Sequence, residues 1–267
     1  MKNILLLVHD DAGQESRLQA ALDLARALRG HLVCLDVAII PIIVSEFHRV
    51  GGKAVTFKEE EARERKNRED LEARLAREDV SWSWIDQTGD PAASLREQAG
   101  LADVIVVSRR LDSELLPDTR RIVSEVVVGV DKAVVAVPEH AEGLDVAGQA
   151  MIAWDGSQEA TKALRAAVPL LKLARTVTIV EIGDGPIGTP ARDAAVYLSR
   201  HGVEPVVVQR RASSLSTADA LLAEAMAEGA SYIVMGAFGR SRLVEALFGG
   251  VSREMLTKSS IPLVMAH

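Results

Sequence analysis

Two stretches of this chain are versions of one another. Lys2 to Asp11 (KNILLLVHDD) and Gln149 to Ser157 (QAMIAWDGS) are both apolar strands ending at an acidic residue, with Asp10 over Asp155. Each runs into an amphipathic helix, with Leu18, Ala21, Leu22, Ala25 and Leu28 along one face in the first copy and Ala160, Ala163, Leu164, Ala167 and Leu171 in the second. Both continue into a β-rich segment, Leu32 to Val37 and Val177 to Ile182. Near the end of each copy the match is ungapped: Asp103 to Val107 lies over Ser231 to Met235, and Val134 to Val137 over Leu263 to Ala266 to within one residue. A repeat at this scale implies two units. The 267 residues suit two domains of the usual size, about 100–200 residues each. The units are residues 1–139 and 149–267, joined by the polar, glycine-containing linker Glu139 to Gly148.

The copies are offset by 145 residues at the first strand (Asp10 to Asp155) and by 128 at the fourth (Ser108 to Gly236), a loss of 17. The loss falls in the second helix. In the first copy that helix is Lys58 to Asp79, with mixed charges at helical spacing and Leu71 and Leu75 as a thin apolar seam. In the second copy only Thr189 to Gly202 fills the place, after a loop from Gly183 to Pro190. Each unit therefore reads β-α-β-α-β-α-β-α-β. This order predicts an α/β fold of two tandem Rossmann-like domains, each a five-stranded parallel sheet with helices on both faces. Pro169 is expected to kink the first helix of the second unit or shift its end.

Hydrophobic residues make up 48% of the chain and aromatics only 3%, so Val, Leu, Ile and Ala must build the cores. A net charge of −7 and a pI near 5.5 argue against a broad nucleic-acid surface. The one cysteine, Cys34, sits in an apolar strand and reads as a buried thiol. Ile4 to Val8 is too short for a signal-peptide core, and no run approaches the roughly 18 apolar residues of a membrane helix. A soluble cytoplasmic protein is the expectation.

In doubly wound sheets ligands bind beyond the carboxyl ends of the strands, where the strand order reverses. After the fourth strand of the second copy comes Gly236-Ala237-Phe238-Gly239, then Gly249-Gly250-Val251-Ser252 opening another helix, with Arg240 and Arg242 close by. Glycines at such turns let backbone approach a phosphate, and a helix N-terminus favours negative charge. Glycines also serve ordinary turns and caps. In the first copy, Ser108, Leu111, Arg121 and Ile122 stand at the corresponding places. That copy keeps the strands and loses the glycines, which favours a binding role in the second.

Other chemistries lack their motifs. The chain has no Gly-x4-Gly-Lys-Ser/Thr loop and no dinucleotide fingerprint after either first strand. Its six histidines, at 9, 31, 48, 140, 201 and 267, lack the pairing of a zinc site. Ser157 has no histidine partner and reads as a helix cap. Asp155 reads as a turn residue, and Asp10 and Asp11 read as structural.

The two-copy layout, Trp154-Asp155-Gly156-Ser157, the Gly-x-x-Gly-x9-Gly spacing and Ile261-Pro262-Leu263-Val264-Met265 resemble the universal stress protein family. The resemblance is stronger over Ala150 to His267 than over the first copy. It implies an adenine nucleotide alpha hydrolase-like fold that binds ATP or AMP in the second unit, in a regulatory stress-response role. On that resemblance Asp155 would contact the adenosine portion, Ile182 would line the base pocket, and Gly236, Phe238, Gly239, Gly249, Gly250, Val251 and Ser252 would hold phosphates, with Mg2+ accompanying ATP. One departure is Gly250, where the family usually carries Ser or Thr; Ser252 offers a substitute hydroxyl. Trp154 would either stack on the base or fill its pocket. No catalytic residue is expected, and ATP hydrolysis would be slow and incidental. The resemblance also implies that the last strands, Ala133 to Val137 and Ile261 to Ala266, pair within the chain as a pseudo-dimer, with a further homodimer and an unknown protein partner left open. The alternative is an interaction module of the same architecture that binds no nucleotide.

Overall fold

The computed structural model describes residues 1–38, 57–109, 120–183, 188–211, 214–239 and 250–267, leaving aside the side chains of residues 57–61, 120 and 121. The first half runs β1 (Asn3–Val8), α1 (Gln14–Leu28), β2 (His31–Ala38), α2 (Phe57–Leu75), β3 (Ser81–Thr88), α3 (Pro91–Gln98), β4 (Val104–Ser108), α4 (Arg120–Gly129) and β5 (Ala133–Val137). The second runs β6 (Gln149–Trp154), α5 (Gln158–Leu171), β7 (Thr176–Ile182), α6 (Ala191–Arg200), β8 (Val206–Arg210), α7 (Thr217–Glu228), β9 (Tyr232–Gly236), α8 (Val251–Lys258) and β10 (Leu263–Ala266).

Among the described residues ten strands form one sheet in the order β3-β2-β1-β4-β5-β10-β9-β6-β7-β8. Within each half every pair is parallel. Across the centre β5 and β10 run antiparallel, with Val135 opposite Val264. The β-branched and aliphatic runs of the central strands are buried on both faces, as a parallel sheet covered by helices requires. Residues alternate between two cores. Ile4, Leu6 and Val8 face α1, α2, α5 and α6, whereas Leu5 and Leu7 face the layer of α3, α4, α7 and α8. Cys34 is fully buried, and burial pushes its thiol up to about 12.

Helices α5, α3 and α7 start where short polar side chains satisfy their first amides. Ser157 Oγ accepts from Ala160 N at 3.1 Å, Asp90 from Ala93 N at 2.8 Å, and Ser216 from Asp219 N at 3.1 Å. The second helix accounts for only part of the 17-residue difference between halves: α2 spans 19 residues and α6 only 10, and the connection leading into the helix is also shorter in the second half. Leu71 and Leu75 are the buried seam of α2, which stops at Leu75 rather than continuing to Asp79. Pro169 sits in the last turn of α5, and the helix continues through it to Leu171. The linker lies against α1: Leu144 N donates to Asp23 Oδ2 at 3.0 Å, Ser16 Oγ donates to Glu139 O at 2.6 Å, and Leu144 and Val146 are buried. No helix among the described residues is long and apolar enough to cross a membrane.

Candidate functional site

The strand order reverses between β1 and β4 in the first half and between β6 and β9 in the second. These two crevices are equivalent by the repeat, and they are filled differently.

In the first crevice lies the guanidinium of Arg17, from the first turn of α1, which is wholly buried. Its Nε donates to Leu7 O at 2.7 Å and its Nη2 to His9 O at 2.9 Å, both at the carboxyl end of β1. Nη1 donates to Ser108 Oγ at the end of β4 and to Asp11 Oδ2, the latter at 3.1 Å. Burial pulls the Arg17 pKa below its usual value against the opposing pull of Asp11 and Glu64. Asp11 also accepts the Gly13 amide at 2.7 Å. Ser108 stands at the repeat position of Gly236, so the substitution that removes a glycine also supplies a ligand for the arginine. Just outside, His9 Nδ1 lies 2.8 Å from Glu64 Oε1, both residues buried, which ties α2 to the end of β1.

The second crevice has no such cation from its own first helix. Lys162, at the repeat position of Arg17, instead reaches the chain end, donating to His267 O at 3.1 Å. At the rim, Asp155 is exposed and its Oδ1 accepts from Ser157 N at 3.0 Å, while Gly156 takes a positive φ of 77°. The glycine turn follows β9. Gly236 lies under the first turn of α5, where an added Cβ would come within 2.4 Å of Ala160 N, so helix packing by itself demands glycine there. Phe238 adopts a left-handed φ of 56°, and its amide donates to the buried Ser252 Oγ at 3.1 Å. That bond joins the turn to α8, whose N-cap is Gly250. Gly250 O accepts from Arg253 N and Glu254 N, so the amides of Val251 and Ser252 are the first-turn donors left without a carbonyl inside the helix. Gly239 is exposed beside the Glu159 side chain: a Cβ built there would meet Glu159 Oε2 at 2.6 Å. Gly249, Arg240 and Arg242 lie outside the described residues.

Ile182 and Trp154 point to opposite faces of the sheet. Ile182 packs at the margin of the core beneath α7 and α8. Trp154 is 4% exposed within the core beneath α5 and α6, where its Nε1 donates to Thr189 O at 2.9 Å. The indole is thus spent as a core residue under the start of α6. Beside it in register, on β7, is Glu181, a buried carboxylate that sequence reading passed over.

Residues 148–267 match the universal stress protein family. This half of the chain belongs to that family. The whole chain is similar in fold to a universal stress protein from Archaeoglobus fulgidus, with a TM-score of 0.73 and 16% identity over 99% of this chain and 95% of that one. A functionally unknown protein from Pseudomonas aeruginosa is similar over 99% of this chain and 92% of its own, with a TM-score of 0.59 and 16% identity. No curated protein matches the sequence. The universal stress protein half is therefore the one that keeps the glycine turn, and the half outside the family match is the one whose crevice holds Arg17. Arg17 was open to discovery from sequence: it lies four residues before Ala21 and so on the apolar stripe of α1, where a cation needs a buried partner. Glu159 gave no comparable signal, because a carboxylate in a first helical turn is ordinary.

Proposed function

We propose that the universal stress protein half binds an adenine nucleotide, ATP or AMP, beyond the carboxyl ends of β6 and β9, and that binding serves regulation in a stress response. The observation that carries this is the contrast between crevices: one is closed by an internal guanidinium, and its counterpart has a glycine turn bonded to the start of α8. Gly239, Gly250 and the amides of Val251 and Ser252 would hold phosphate, since backbone donors at a helix start complement an anion. Phe238 would act through its fold, because Ser252 already holds its amide. Asp155 would meet the ribose or base, with Ile182 lining the base pocket. Among the described residues no group of His, Cys, Asp and Glu is arranged to hold a metal, so Mg2+ would arrive on the phosphates of ATP. Binding rather than turnover is the proposed role. Ser157 is committed to capping α5, and any hydrolysis of ATP is expected to be slow.

A second reading, an interaction module that takes no nucleotide, is favoured by Gly236, whose missing Cβ is already required by α5, and by Glu159, whose charge faces the turn. Equilibrium titration of nucleotide-stripped protein with ATP and AMP separates the two. Nucleotide binding predicts a dissociation constant well below about 1 mM. It also predicts several-fold tighter binding by Glu159→Gln, which removes the repelling charge, and loss of binding in Gly239→Asp. An affinity no better than millimolar, unchanged in both variants, would leave the interaction module as the better account.

A further inference from the structure

Among the described residues the ten-stranded sheet ends in two edge strands with no further strand beside them, β3 and β8, and their charges differ in kind. Short α6 leaves β8 poorly covered: Val206 is 62% exposed and Val207 39%, and no residue of the strand is fully buried. Gly183 N donates to Arg210 O at 2.9 Å, so Arg210 turns its backbone groups towards β7. By the alternation of a strand, Val206 and Val208 do the same, whereas Val207 and Gln209 turn their N–H and C=O groups outward. Immediately before the strand stand the exposed Glu204 and then Pro205; at its end stand Arg210 and Arg211.

We propose that β8 is a homodimer edge, pairing antiparallel with β8 of a second copy of this chain about a twofold axis at Val207. This register makes Val207 a hydrogen-bonded pair with itself and sets Val206 against Val208. It also places Glu204 across from Arg210 of the other copy, which holds Glu224 of its own α7, and next to Arg211. The ladder keeps the two Val207 bonds and, on each side, the bond from Gln209 N–H to Pro205 C=O; only the donor that proline lacks is missing. Opposite charges facing each other across an antiparallel pair are stabilising.

The other edge lacks this complementarity. β3 is preceded by Glu78 and Asp79, both paired with Arg26, and carries Asp86, paired with Arg68, with the α3 cap Asp90 at its far end. Antiparallel self-pairing there brings together acids already engaged in their own chain rather than opposite charges. A backbone ladder with three valines on each side is a small interface, and the dimer is expected to be weak and concentration-dependent.

Sedimentation equilibrium of the full-length chain, at concentrations reaching about 1 mM, tests this where such an interface is populated. Val207→Pro removes an outward donor without touching the ladder to β7, and should leave a folded monomer. Glu204→Lys should weaken dimerisation at least tenfold, because it sets a lysine against Arg210 and Arg211 of the other copy. Circular dichroism confirms that each variant is folded. A wild-type chain that stays monomeric across the whole range, or a dimer that persists unchanged in folded Val207→Pro and Glu204→Lys, overturns the proposal.

Discussion

A buried arginine gives the first half its character. The Arg17 guanidinium is held by two strand-end carbonyls, a serine hydroxyl and a carboxylate. Each acceptor was desolvated to make the contact; removing the cation takes away the donor it supplies to Leu7 O and Ser108 Oγ and leaves the buried Asp11 carboxylate with the Gly13 amide but no countercharge. Breaking a buried ion pair from one side costs about 3–5 kcal/mol. Arg17→Met, close in volume and devoid of donors, should therefore lower stability by about that much, as read from urea denaturation. A paired change, Arg17→Met with Asp11→Asn, should recover part of the loss, because the carboxylate is no longer stranded. If Arg17→Met costs less than about 1 kcal/mol, the guanidinium is not what closes the crevice. The same residue marks what sequence could and could not show. Its place on the apolar stripe was visible, but its partners are main-chain oxygens that come together only when β1 and β4 lie side by side. Gly236 makes the converse point. Its absence from the first copy suggested a ligand, whereas the structure adds a packing cause, the close passage of α5, which no spacing reveals.

Among the helices, α2 depends on a titratable contact. Its outer face is charged; Leu71 and Leu75, the Arg68–Asp86 pair and the contact between Glu64 and His9 hold it to the sheet, and the paired amides of Asn67 and Gln14 hold it to α1. Burial by itself would raise the Glu64 carboxyl; the His9 hydrogen bond and the charges of His9 and Arg63 outweigh it and hold the pKa below its ordinary 4.5. A depressed carboxyl contributes stability that is present above its unfolded value and lost as pH falls through the folded one. Hydrogen-exchange protection of α2 should accordingly hold steady from about pH 7 to 5 and decline below about pH 4. His9→Asn should flatten that response. The shorter α6, whose carboxylate Asp193 is exposed, serves as the internal comparison. Equal losses in α2 and α6 would dissociate the effect from Glu64. The length difference between these helices was legible in the sequence, because the repeat offset changes between the first and fourth strands. The early stop of α2 at Leu75 was less so, since Arg77, Glu78 and Asp79 continue the charge pattern while the chain turns towards β3.

At the scale of the molecule, the halves share their interior. The core beneath α1 and α5 includes Val135 and Val137 from β5 with Val264 and Ala266 from β10; the opposite core includes Val134 and Ala136 with Leu263 and Met265. Both therefore cross the antiparallel join without interruption. Arg109, just beyond β4, donates across it to Ser259 O near the end of α8, and the linker is pinned to α1 rather than free. Opening the join would expose two apolar strand edges and the margins of both cores, so neither half has a complete interior alone. Unfolding should be one cooperative transition with calorimetric and van't Hoff enthalpies in agreement. Val135→Ala, at the centre of the join, should cost about 2 kcal/mol and lower that single transition by several degrees. Residue-resolved hydrogen exchange should then show α1 and α5, on either side of the join, losing protection by the same free energy. Two separated transitions, with only the first half shifted by the substitution, would mean instead that each half folds on its own core and that β5 and β10 meet as finished surfaces.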